Sequence, residues 1–271
     1  MFLYDPVRCV LIIELLLGAE NLSGLHRRSG QFPLAAAAQL GEVLGKYHRL
    51  ISLPTNSSKE GIFPKSAPWI LSAHHLANSP IPTAGGSNKQ ILQIINRHDE
   101  FHKYLDELRA DWRTDSFIHG DIKWENCLLY EYEGKSQLKI VDWETADFGD
   151  PAWDVGAVFQ AYLTFWIMSI PISGKMTPDI FLQLAPYPIE AMQPAIRAFW
   201  LAYLNAGGID VKLSQNLAIR SIRYGAARML QTAYEHMFHT PQVTANAISL
   251  LQVALNIFKD PLEGVRELLN I

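Results

Sequence analysis

Cysteine is almost missing from this chain. Cys9 and Cys127 are the two present in 271 residues, too few to staple a fold through disulfides. The expectation is a reducing, cytoplasmic setting. Surplus positive charge is missing as well. Lys and Arg number 23 against 27 Asp and Glu, a net charge of −4, so no basic stripe offers a nucleic-acid footprint. No internal repeat is visible, and no apolar run reads as a membrane span. Residues 9–17 are too few to cross a bilayer, enclose Glu14, and lack the small-residue cleavage site of a signal peptide. Residues 155–172 are relieved only by Gln160, Thr164 and Ser169, but they follow directly on Asp154. That aspartate belongs to a segment that must meet water, so the run is expected as a buried helix. Gly-x-Ser-x-Gly turns and His-Glu-x-x-His helices are absent too, and with them the hydrolase chemistries they support.

What is present is apolar enough to fold. Hydrophobic residues make up 49% and charged residues 18%, the balance of a chain with a substantial core. Residues 8–16 are rich in Val, Ile and Leu and predict a buried strand, ended by Gly18. Pro33 opens a helix over 34–50, with Leu40, Val43, Leu44 and Tyr47 on one face. Residues 52–90 hold many Ser, Pro, Asn and Gly and read as a long surface segment. Helical spacing returns over 91–112, with Ile94, Ile95, Phe101, Tyr104, Leu105 and Leu108 as the buried set. A short strand over 116–118 leads to a turn, and 127–132 with 137–141 form a hairpin around 133–135. From Asp154 the pattern is helical, interrupted at 171–188, at Gly207-Gly208 and at Thr240-Pro241. The fold class expected is α+β and predominantly helical, with a short central β-hairpin.

The chemistry concentrates between residues 119 and 154. Asp121 stands in a loop after a strand, Asn126 ends that loop, and Asp142 closes the hairpin's second strand. Phosphoryl transfer asks a protein mainly for positioning and charge neutralisation. An aspartate can accept the proton of an attacking hydroxyl, while an amide oxygen and a second carboxylate suit magnesium, which favours oxygen ligands. Lys123 can reach a phosphate as a point charge. Taken singly, each residue has an ordinary reading as a turn former or cap; their joint spacing is what selects a site. His119 is expected to be structural, its ring packed beneath the loop, and Cys127 to be a small core residue.

Residues 117–156 resemble the aminoglycoside phosphotransferase and choline kinase-like branch of the protein-kinase-like fold. His119-Gly120-Asp121 and Asn126 match its His-Gly-Asp-x-x-x-x-Asn signature, and Gly149-Asp150-Pro151-Ala152-Trp153-Asp154 resembles its Gly-Asp-Pro-x-x-Asp element. Asp142 is followed by Trp143-Glu144, where protein kinases carry Phe-Gly. The resemblance implies ATP and Mg2+ as cofactors, Asp121 and Lys123 as catalytic residues, and Asn126 and Asp142 as metal ligands. It implies that Asp154 opens a buried helix and hydrogen-bonds back to the catalytic loop. Residues 10–22 resemble the last small-lobe strand and hinge, which places Glu14, Leu15 and Leu16 at the nucleotide. The implied organisation is strand and hinge over 1–22 and a kinase-like large lobe over 23–271. That lobe divides into a catalytic core over 23–154 and a helical substrate region over 155–271. Lys123 departs from the family pattern and matches protein kinases.

A kinase small lobe brings a Gly-rich loop and a phosphate-binding lysine, and neither precedes residue 10; Gly85-Gly86-Ser87 follows no strand. Three explanations stand open: a truncated start, a small lobe supplied by a second chain, or a remnant that binds without turnover. The expectation is weak or absent ATP turnover by this chain alone. The acceptor is a small-molecule hydroxyl of aminoglycoside, amino-alcohol or sugar type, or a Ser or Thr of a biosynthetic peptide. Residues 52–90 and the helices after Pro171 are where it should bind. A non-catalytic partner protein is the alternative from another class.

Overall fold

The computed structural model describes residues 3–52, 63–76, 86–171 and 184–271. Most of the expected interruption at 171–188 and much of the 52–90 segment lie outside them. Three small antiparallel sheets accompany a helical body. Strand β1 (Leu3–Asp5) pairs with β2 (Val10–Ile12); β3 (Glu20–Asn21) joins β5 (Cys127–Tyr132) and β6 (Lys135–Ile140); β4 (Ser116–Ile118) pairs with β7 (Asp147–Gly149).

Between β5 and β6 the chain turns through Glu133 and Gly134, both at positive φ (51° and 72°). A two-residue loop with that geometry matches the right-handed twist of its strands. The second strand therefore starts at Lys135, two residues earlier than expected. The pairing of Glu20 with Leu129 and Asn21 with Leu128 ties the N-terminal segment to this hairpin. Asn21 then caps helix α1 (Leu22–Ser29), its side chain accepting from the Gly24 amide.

Helix α2 (Leu34–Leu50) buries Leu40 and Leu44, with Val43 and Tyr47 partly covered, the face its spacing predicts. A 3-10 turn (Trp69–Ser72) and the short helix α3 (Ala73–Leu76) follow. Ile70, Leu71 and Ala73 are fully buried there, so this part of the expected surface segment belongs to the core. The single helical stretch expected over 91–112 is two helices, α4 (Gly86–Arg97) and α5 (Asp99–Ala110). The break is His98, extended at φ −109° and ψ 103°, after which Asp99 and Glu100 supply the acidic first turn that favours a new helix start.

The apolar run after Asp154 is helix α6 (Pro151–Ser169), capped by the Asp150 side chain with Pro151 at its first position. It is buried nearly all round, as expected. No helix among the described residues is long and apolar enough to cross a membrane. Helices α7 (Ile189–Gly207), α8 (Val211–His236) and α9 (Ala245–Lys259) complete the body, α2 packing on α7 and α6 on α8. Both contacts are close. A Cβ at Gly45 would stand 2.6 Å from the Tyr203 carbonyl oxygen, and one at Gly41 would overlap that of Phe199.

The strand expected to be buried over 8–16 is not buried. Only Val10–Ile12 is extended and paired, its one partner is β1, and the side chains on both faces are exposed. Its apolar, β-branched content favours a strand but cannot supply the layer that would cover it.

Candidate active site

The two-stranded sheet β4–β7 brings the segment after Ile118 beside the start of α6. The carboxylate of Asp154, fully buried, accepts from the His119 amide at 2.7 Å (Oδ2) and the Gly120 amide at 3.0 Å (Oδ1). It also faces His48 Nε2 at 3.2 Å, whose ring is held on its other nitrogen by the Tyr203 hydroxyl at 3.0 Å. The hydrogen bond from helix to loop that the resemblance implied is therefore present. His119 is fully buried; its Nε2 bonds the Val141 carbonyl at 2.9 Å and its Nδ1 accepts from the Asp121 amide at 3.2 Å. The ring thus joins the loop to the strand that delivers Asp142, a structural role. Gly120 sits at φ +81°, and a Cβ there would press on the Thr145 carbonyl oxygen at 2.6 Å. The sharp turn that presents Asp121 needs this glycine.

Asp121 is half-buried, and both its oxygens are engaged. Lys123 Nζ lies 2.7 Å from Oδ2, and Arg228 Nη2 lies 3.2 Å from Oδ1. Burial alone would raise this carboxyl, but the Lys123 ammonium and Arg228 guanidinium outweigh it and hold it below the ordinary aspartate value. In turn the Asp121 carboxylate raises Lys123. Arg228 reaches from α8, bonds the Gly120 and Ile122 carbonyls at 3.2 and 3.3 Å, and stacks over Trp153 at 5.0 Å. Trp153 in turn donates from Nε1 to the Gly120 carbonyl at 2.8 Å. The loop is thus clamped from α6 and α8 together.

Asn126 is buried, with Nδ2 donating to the Asp121 carbonyl at 3.1 Å, which leaves Oδ1 as the amide's acceptor. The Val141 amide donates to the Asn126 carbonyl at 2.9 Å, coupling the loop end to the strand before Asp142. Asp142 is exposed in the left-handed region at φ 68° and ψ 60°. A non-glycine residue there costs about 1–2 kcal/mol, and such strain is concentrated at functional positions. One amide oxygen and one exposed carboxylate make a hard-oxygen donor pair that fits magnesium.

A cavity of about 700 Å³ opens beside this loop, lined by Asp121, Lys123, Trp124 and Thr145. Pro68 and Trp69 form one wall, and Gln231, Glu235 and His236 of α8 another. Glu14, Leu15 and Leu16 do not line it. Glu14 is exposed and pairs with Lys139 of β6 at 2.6 Å, and Leu15 is 79% exposed. Cys127 is fully buried, its thiol pushed up to about 12 by burial, so it has no nucleophilic character.

Arg228, His48 and Trp153 were not among the site residues expected from the sequence. The signal for Arg228 was a single cation amid Gly225, Ala226, Ala227 and Met229, on a stretch of α8 otherwise apolar and buried. His48 carries no comparable mark.

The architecture is that of a kinase-like fold. The model of the phosphotransferase enzyme family matches residues 8–173, and the chain belongs to that family. Among solved structures it is similar to an ethanolamine kinase of Plasmodium vivax, at 16% identity and TM-score 0.52 over 86% of this chain and 62% of that one. It is also similar to a glucosamine kinase solved with glucosamine, ADP and inorganic phosphate, at 17% identity and TM-score 0.53 over 91% of this chain and 64% of that one. The chain thus spans less than two thirds of the length of either. No curated protein matches it.

Proposed function

We propose that this chain carries the catalytic loop of an ATP- and Mg2+-dependent phosphotransferase acting on the hydroxyl of a small molecule. The observation that carries the reading is the Asp121 carboxylate. It is kept ionised by Lys123 and Arg228, held by a loop that Asp154 clamps, and faces a cavity large enough for an acceptor. Asp121 would take the proton of the acceptor hydroxyl as that hydroxyl's oxygen attacks the γ-phosphorus and the bond to the departing ADP breaks. Lys123 is the more exposed of its two cationic partners. Moving from Asp121 Oδ2 to the transferring phosphate would free that oxygen for the hydroxyl. Asn126 Oδ1 and the Asp142 carboxylate would hold Mg2+, which neutralises charge on the phosphates when bound. Glu14, Leu15 and Leu16 remain the candidates for the adenine side.

The acceptor class that fits best is an amine-bearing alcohol or amino sugar. The cavity offers the carboxylates of Glu125 and Glu235 and the ring of Trp69, groups that attract a cation. Two fold neighbours are named as kinases of such compounds. The apolar β1–β2 hairpin is the surface on which a second polypeptide would complete the nucleotide side.

Calorimetry with Mg2+ and ATP tests the reading. Binding is expected, and Asp142→Ala is expected to abolish it. Asp121→Asn should keep binding and lose phosphoryl transfer to amino alcohols and amino sugars by about 10²–10⁴-fold. Absence of Mg2+-ATP binding at millimolar nucleotide would leave the chain as a non-catalytic binding protein.

A further inference from the structure

Away from the catalytic loop, α3 and α5 bring together a set of side chains that the phosphotransferase reading does not use. His74 and His75 sit side by side on α3, and Asp106 faces them from α5. His74 Nε2 lies 3.0 Å from Asp106 Oδ1, and His75 Nε2 lies 3.5 Å from the same oxygen. One ligand atom from each of the three residues falls within 4.8 Å of the others. We propose that His74, His75 and Asp106 form a binding site for a divalent transition-metal ion, Zn2+ by its chemistry.

The two nitrogen-to-oxygen separations, 3.0 and 3.5 Å, suit that ion. Tetrahedral zinc with bonds of about 2.0–2.1 Å places its ligand atoms roughly 3.3 Å apart. Two imidazoles and one carboxylate are a borderline-soft donor set, which selects zinc-like ions over magnesium or calcium. A third histidine stands beside this cluster. His102 precedes Asp106 by one turn on α5, and its ring stacks on His74 at a centroid distance of 4.9 Å. Its Nε2 and the Nδ1 of His74 are buried without a hydrogen-bond partner among the described residues. Buried imidazole nitrogens left unpaired are costly, and two histidines facing one carboxylate oxygen exceed what a single ion pair needs. The fourth position is open to water, as in zinc sites with three protein ligands.

The site has a structural consequence. It clips α3 to α5, and α3 continues directly from the 3-10 turn that carries Trp69. Pro68 and Trp69 form the cavity wall opposite the α8 residues, with Trp69 edge-on to Tyr234 at 5.4 Å. A bound ion would fix that wall.

The test uses the full chain stripped with chelator and titrated with Zn2+ against a chromophoric zinc indicator. One equivalent is expected to bind, and Co2+ in its place should give the intense visible absorption of tetrahedral coordination. His75 and Asp106 have side chains 59% and 55% exposed, so His75→Ala and Asp106→Asn leave the core intact. Each is expected to weaken zinc binding at least tenfold and to abolish the zinc-induced rise in unfolding temperature. Their metal-free circular dichroism should match wild type. His98→Ala, an exposed histidine outside the cluster, and Asp142→Asn, at the proposed magnesium position, should bind zinc as wild type does. A wild-type chain with no stoichiometric zinc, or variants at His75 and Asp106 with unchanged affinity, would overturn the proposal. Loss of affinity in Asp142→Asn would do so as well, by moving the ion to the phosphotransferase site. Because the readout is zinc occupancy, the result is independent of whether the chain transfers phosphate.

Discussion

Asp154 ties down the loop that presents Asp121. It has no solvent exposure and satisfies two consecutive amides, those of His119 and Gly120, while facing His48. Removing the carboxylate leaves two buried donors unpaired, each at about 1–3 kcal/mol. Asp154→Ala is therefore expected to destabilise the fold by about 2–5 kcal/mol, read as a shifted urea midpoint; a loss below 1 kcal/mol would contradict the clamp. Asp121 makes a prediction of opposite character. Its folded carboxyl lies below the ordinary value of 3.8 because Lys123 and Arg228 outweigh burial. A carboxyl depressed on folding contributes stability that is present above its unfolded value and is lost as pH falls through the folded one. Lys123→Met removes one of the two cations. The Asp121 titration followed by carboxyl carbon NMR should then move upward, and the acid-side loss of stability due to this group should shrink. An unchanged titration would mean that Lys123 Nζ does not hold Oδ2 in solution.

At the scale of elements, the helical body depends on glycines that let backbones approach. Gly41→Ala sets two effects against each other. Alanine gains about 1 kcal/mol of helix propensity over glycine. Its Cβ, however, would overlap the Phe199 carbonyl oxygen, and rigid backbone cannot yield as a side chain tip does. Overpacking costs about 1–3 kcal/mol, so net destabilisation is expected, seen as a lower unfolding temperature. Gly86→Ala, with nothing near its Cβ, should not lower it. This dependence on distant contacts explains what could and could not be read from the chain. Asp121, Asn126, Asp142 and Asp154 were legible because short loops and the hairpin fix their spacing within one local unit. The buried run was legible for the same reason, although its helix starts at Pro151, capped by Asp150, and not at Asp154 as expected. Arg228 reaches the loop from α8 and His48 reaches Asp154 from α2, and only the packing of those helices brings them there. Residues 91–112 show one apolar period across two helices, because α4 and α5 bury adjoining faces and the break at His98 leaves the pattern undisturbed. The extended character of residues 10–12 was legible and their burial was not, since propensity describes a strand and not what lies above it.

At the scale of the whole molecule, apolar surface is unevenly placed. The body encloses most of its large apolar side chains and exposes others singly, whereas the β1–β2 hairpin shows Leu3, Tyr4, Val10, Leu11 and Ile12 on its two faces and leads into exposed Ile13, Leu15 and Leu17. Tyr4 pairs across from Leu11, and Leu3 from Ile12, so each face presents a contiguous apolar pair. A two-stranded ribbon is marginal in water by itself, and its open edges offer unpaired backbone groups to another strand. Apolar area on both faces adds a driving force of about 25 cal/mol for each Å² covered. Two consequences compete in solution: the hairpin frays, or it associates. Association covers the faces and pairs the edges at once, so the purified chain is expected to show concentration-dependent self-association in sedimentation velocity. Replacing Leu11 and Ile13 by lysine places charge on that surface without touching the residues that hold Asp121. The double variant should sediment as a monomer at concentrations where the wild type does not, while its urea midpoint stays within about 0.5 kcal/mol of wild type, as for surface changes generally. A wild-type chain that stays monomeric at high concentration would show that the hairpin frays instead, and rapid amide exchange over residues 3–12 would accompany that result.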